Sequence, residues 1–129
     1  MANIEKFEDI KSWQLARELC KLIHFFTQKD LFSKDYRLVG QVKGSSGSIM
    51  DNIAEGFERN GRREFIQFLS IAKGSSGELR SQLYRSYDNK YITIEEFDQA
   101  IQLCEEVSKL ISGFMVYLNQ TEIKGVKYK

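Results

Sequence analysis

Residues 34–59 read KDYRLVGQVKGSSGSIMDNIAEGFER. Leu38, Val42, Ile49, Ile53 and Phe57 recur at three- and four-residue intervals or their sums, which is the period of a helix. No two-residue alternation of strand type competes with it. The spacing therefore predicts one long helix over about 34–59. Asn60-Gly61 follows and reads as a helix stop, because both residues tolerate the left-handed backbone that ends helices.

The same period extends in both directions. From about Arg62 to Asp88, the residues Phe65, Phe68, Leu69, Ala72, Leu79 and Leu83 form another apolar face. Upstream, about 9–28 carries one stripe at Ile10, Trp13, Ala16, Cys20 and Ile23. A second stripe runs through Leu15, Leu19, Leu22 and Phe26. Downstream, Thr93-Ile-Glu-Glu96 has capping-box spacing. It opens a helix expected over 93–119 through Phe97, Ile101, Cys104, Val107, Ile111, Phe114, Met115 and Leu118. The tail 120–129 is polar and basic and is expected to fray. Four helices of ~20–27 residues with short connections favour antiparallel neighbours. The expected fold is all-α, an antiparallel up-down-up-down four-helix bundle, with 1–129 as a single domain.

Composition agrees. The chain has 129 residues, 42% apolar and 29% charged, with no proline. That is one globular domain free to carry long helices. No apolar run approaches the ~18 residues of a membrane span, and MANIEKFEDI has no signal-peptide core. A cytoplasmic protein with no membrane role is expected. His24 is the only histidine, and Cys20 and Cys104 stand 84 positions apart. Neither a metal set nor a nucleophile–base pair can be assembled from these, so no catalytic residue, metal or cofactor is expected. The cysteines read as reduced core thiols.

Two features bear on function. Val42-Lys43-Gly44-Ser45-Ser46-Gly47 recurs as Ala72-Lys73-Gly74-Ser75-Ser76-Gly77. The spacing is wrong for a phosphate loop. Gly40, Gly44 and Ser48 share one helix face, with Ser70, Gly74 and Ser81 as a looser counterpart, and close helix packing is the expected reason. Charge is also uneven: residues 61–90 hold six basic against three acidic groups, and 91–129 hold four against six, within a net charge of +1. At ~100° per residue, Arg62, Lys73 and Arg80 fall within ~20° of one another. With Arg59 and Arg63 they form a cationic edge. It is either a strip for phosphates or an acidic partner, or a solvated edge paired with acids such as Glu95, Glu96, Asp98, Glu105 and Glu106.

The segment Ser48-Ile49-x-x-Asn52-Ile53-Ala54-Glu55-Gly56 resembles the signature of the 23S rRNA intervening-sequence proteins. Arg59, Glu64–Ala72, Gly74-Ser75, Glu78-Leu79 and Gln82-Leu83 continue the resemblance, and Trp13-Gln14, Ala16, Leu19 and Gln41 fit upstream. It covers most of 7–92 and is weak in the fourth helix. It implies a non-enzymatic four-helix bundle assembling with itself into a homopentameric ring. It also implies association with RNA or DNA, of rRNA or retroelement type, through a basic outer surface. The sequence departs from the pattern: Lys43-Gly44-Ser45 stands for Arg-Arg-Ala, Met50 for Pro, Phe32-Ser33 for Phe-Pro, and Tyr36-Arg37-Leu38 for Tyr-Gly-Leu. One cation is lost, and the alternative is a ring that binds another protein and no nucleic acid.

Self-association has independent support in the double stripe of the first helix and in Ile66 and Ile71 outside the main stripe of the third. Surplus apolar surface marks a partner interface. Glu55, in an apolar stretch, is expected half-buried with Arg59 or Arg80 as partner. Asn52 is expected to bridge helices by its amide. Both, with Gly56, read as structural.

Overall fold

The computed structural model describes residues 3–120. Among them there is no strand. A 3-10 turn at Phe7–Asp9 precedes five α-helices: α1 Lys11–Thr27, α2 Asp30–Ser33, α3 Tyr36–Glu58, α4 Arg62–Asp88 and α5 Ile94–Gln120. The expected tail lies almost wholly outside the described residues.

The long helices stand close to their expected bounds, and each difference has a local cause. At the start, Ile10 is extended (φ −79°, ψ 121°) and separates the 3-10 turn from α1. Asp9 holds that turn by accepting the amides of Glu5 and Lys6 at 3.1 and 3.2 Å. Next, α3 starts at Tyr36 because Asp35 caps it, its carboxylate accepting the Leu38 amide at 3.1 Å. The one-turn α2 is too short to show a period. It delivers Phe32 to the core, stacked on Tyr91 at 5.0 Å between ring centroids. Asn60 adopts φ 63° and ends α3 as expected. The capping box of α5 is present: the Thr93 amide donates to Glu96 Oε1 at 2.8 Å and the Glu96 amide to Thr93 Oγ1 at 3.1 Å.

Four long helices share one core. α3 packs on α1 and α4, and α5 packs on α4 and α1. Ends meet starts: Lys29 after α1 pairs with Glu96 in the first turn of α5, and Arg85 late in α4 donates to Gln41 Oε1 early in α3 at 3.0 Å. Midway, buried Ser76 of α4 donates to the Cys104 carbonyl at 3.2 Å. Apolar side chains fill the space between. Phe65 is fully buried, edge-on to Phe57 at 6.0 Å and to Phe114 at 5.2 Å. Burying one such side chain stabilises the fold by ~1.5–3 kcal/mol. Cys20 and Cys104 are free thiols, and burial pushes Cys104 up to about 12.

Two packing expectations need correction. The first concerns glycine. A Cβ added at Gly40, Gly44 or Gly74 meets nothing within 4 Å, so these positions do not seat a neighbouring helix. Sharing a face of one helix does not say that the face is the packed one. The close approach is at Gly56, where a Cβ would lie 2.6 Å from Phe68 Cβ and 2.9 Å from Phe65 Cδ1. Serines do join α3 to α4, with Ser48 Oγ 2.9 Å from Ser75 Oγ and Ser45 donating to Glu78 at 3.2 Å.

The second concerns α1. Both its stripes serve the core: Ala16, Leu19, Ile23 and Phe26 are buried, and Trp13, Leu15 and Leu22 are half-buried against them. Ile66 is also half-buried. Ile71 remains exposed, at 52%. Other exposed apolar side chains stand near helix ends: Phe25, Leu31, Tyr36, Tyr84, Tyr87 and Ile94.

Candidate nucleic-acid interface

The cationic edge begins on α4, where Lys73 and Arg80 stand seven residues apart and share a face. α5 lies against that face. Lys73 and Arg80 line a groove of about 450 Å³ together with Glu105, Ser108, Lys109 and Ser112 of α5. The α5 residues follow helical spacing, so one side of that helix supplies a carboxylate, two hydroxyls and an ammonium.

Arg80 is held in the groove without being saturated. Its Nη2 lies 3.9 Å from Glu105 Oε2, beyond hydrogen-bonding range, and its Nε is buried with no partner. The pair is about half exposed on both sides, and such pairs are worth ~0–1 kcal/mol. Neither Lys73 nor Lys109 makes an ion pair among the described residues. The positive charge is felt beneath the groove, where Arg80 opposes the rise that burial imposes on the Cys104 thiol. Three cations face one carboxylate, with Ser108 and Ser112 as neutral hydroxyls beside them. That arrangement suits phosphate oxygens.

The other expected edge residues go elsewhere. Arg62 donates to the Leu118 carbonyl at 3.2 Å and so closes the end of α5, where a cation also complements the helix dipole. Arg59 donates to Glu55 at 2.8 Å, and its guanidinium lies 5.1 Å from the Phe68 ring centre. Arg63 is exposed near the start of α4. Shared angle on α4 placed Arg62 with Lys73 and Arg80, but distance along the helix put it at the far end of α5. Lys109, Ser108 and Ser112 were not anticipated. The available signal was that Lys109 is the lone basic residue of the fourth apolar segment, one turn after Glu105.

The family match spans residues 8–113 and is to the 23S rRNA-intervening sequence protein. The chain belongs to that family. A solved structure from Bacteroides thetaiotaomicron VPI-5482, described as a protein with unknown function from the S23 ribosomal protein family, has the same fold. It superposes with a TM-score of 0.75 at 23% identity, covering 81% of this chain and 95% of its own. No curated protein matches.

The signature residues of the family divide differently from expectation in this chain. Gly56 is buried and structural. Glu55 lies at the surface with its side chain 53% exposed, and of its two expected partners it pairs with Arg59. The reason is angular, since Ile53, Gly56 and Phe57 take the inward positions and leave Glu55 outside. Asn52 does not bridge helices by its own amide. It donates to the Ser48 carbonyl at 2.8 Å and to Ser48 Oγ at 3.0 Å, and thereby steadies the hydroxyl that meets Ser75. Glu55→Ala is accordingly expected to cost no more than ~0.5 kcal/mol, the worth of an exposed i, i+4 pair. Thermal melts of dilute protein check it.

Proposed function

We propose that this protein is a non-enzymatic nucleic-acid-binding scaffold, contacting RNA or DNA phosphates through the α4–α5 groove. The observation that carries the reading is the convergence of Lys73, Arg80 and Lys109 on one groove against a single carboxylate. Groups of this kind hold a backbone without reading bases. Binding is then nearly sequence-blind. The end-to-start contacts between long helices favour the antiparallel up-down-up-down bundle that family membership suggests. A cytoplasmic setting goes with an RNA ligand, and among the described residues no helix is long and apolar enough to cross a membrane.

The same reading takes the working unit to be a homo-oligomer, a pentamer by the family resemblance. Repetition of the groove around a ring multiplies phosphate contacts and compensates for a net charge of only +1. The exposed apolar side chains from Phe25 to Ile94 support a second reading, in which the ring binds another protein and no nucleic acid.

Titrating structured RNA and duplex DNA at two salt concentrations separates the two. For duplex, log K is expected to fall with log salt by ~0.9 for each phosphate neutralised. Absence of salt-sensitive binding by an assembled sample would leave the protein-binding reading. Sedimentation equilibrium measures the assembly state alongside, and a clean monomer at micromolar concentration would remove the ring.

A further inference from the structure

A second concavity adjoins the α4–α5 groove and shares Lys109 with it, where the 3-10 turn and the start of α1 meet the later part of α5. Its volume is about 440 Å³, within the ~300–1,000 Å³ usual for small-molecule sites. The walls are apolar: Ile4, Ile10, Leu110 and Phe114. Its polar lining is Asp9, Lys11 and Ser12 around the start of α1, with Lys109 of α5. Ser12, second residue of α1, lines the hollow while its residue is only 2% exposed, and its Oγ has no hydrogen-bond partner. The carbonyl a helical serine ordinarily uses, four residues back at Glu8, already accepts Gln14 Nε2 at 2.9 Å. A buried hydroxyl without a partner is costly, so the position calls for one.

The surroundings say what kind. Ile10 is the N-cap residue of α1 and supplies no side-chain cap. The first-turn amides and the positive end of the helix dipole are therefore left for an anion. Lys11 and Lys109 line the hollow and form no ion pair among the described residues. Asp9 is the one acid there, and its Oδ2 is occupied by the Glu5 and Lys6 amides. The remaining groups favour negative charge beside an apolar chamber.

We infer that this hollow binds a small amphipathic monocarboxylate. The carboxylate accepts from Ser12 Oγ and the α1 amides, and the aliphatic tail lies on Ile4, Ile10, Leu110 and Phe114. The inference does not rest on the nucleic-acid reading, and because Lys109 also lines the groove its test leaves that residue unaltered.

The probe is decanoate, titrated into full-length protein by calorimetry, with decanol and butyrate as controls. Saturable binding of decanoate tighter than about 1 mM is expected, with butyrate and decanol each much weaker. Ser12→Ala is expected to weaken decanoate by roughly tenfold or more, as loss of a hydrogen bond to a charged group implies. Its melting temperature should be equal to the parent's or higher, since the hydroxyl has no protein partner to lose. Gly113 lines the hollow, and a Cβ there meets nothing within 4 Å. Gly113→Phe should therefore abolish binding while the helical circular dichroism is retained. Decanol binding as well as decanoate, or Ser12→Ala binding like the parent, would overturn the carboxylate site. So would the absence of saturable decanoate binding.

Discussion

Gly56→Val is expected to be among the most destabilising single changes in this chain. The first carbon of the new side chain would lie 2.6 Å from Phe68 Cβ and 2.9 Å from Phe65 Cδ1. Neither neighbour can yield easily. Phe68 Cβ is fixed to the α4 backbone, and the Phe65 ring is fully buried between Phe57 and Phe114. Relief requires α3 and α4 to separate. Overpacking a well-filled core costs ~1–3 kcal/mol, and here the strain falls on backbone-proximal atoms, so the loss should reach the upper end of that range. For a domain of this size that is a fall of roughly 10 °C in melting temperature. Gly40→Ala is the matched control, because its added Cβ meets no atom. It should be neutral or stabilising by up to ~1 kcal/mol, the helix preference of alanine over glycine. Thermal or urea unfolding of both variants decides the matter. Equal effects would mean that the close contact at Gly56 carries no special weight.

The second large effect is on the proposed groove. Lys73→Gln, Arg80→Gln and Lys109→Gln together remove its three cations and leave neutral polar side chains in their place. If each neutralises one phosphate, the salt slope for duplex should fall by about 0.9 per contact, or ~2–3 per protomer, and affinity at moderate salt by roughly tenfold or more. The loss should be even across sequences. Arg62→Gln supplies the contrast. Arg62 donates to the Leu118 carbonyl at the end of α5, so its removal should lower stability and leave the slope alone. A triple variant with the parent's slope and the parent's assembly would exclude the groove. A changed slope in Arg62→Gln would restore Arg62 to the phosphate-binding set.

The sequence alone determined the four long helices. Leu38, Ile49, Ile53 and Phe57 announce α3, Asn60 its end, and Thr93 with Glu96 the start of α5, because helix period and capping are local physics that neighbouring residues settle among themselves. The family signature was legible for the same reason, as a fixed pattern within one segment. What one helix meets on the next is not local. Glu55 sits among apolar letters and yet points outward, and Gly40, Gly44 and Gly74 share a pattern with packed glycines and yet face open space. The angle and offset between α3, α4 and α5 decide each case. The same geometry removed Arg62 from the cationic edge and brought in Lys109, Ser108 and Ser112 from a helix some thirty residues away in sequence. Charge on a single helix can be read from its letters. Its neutralisation or reinforcement depends on which side chains the packed core places within a few ångströms, and only the tertiary structure decided that.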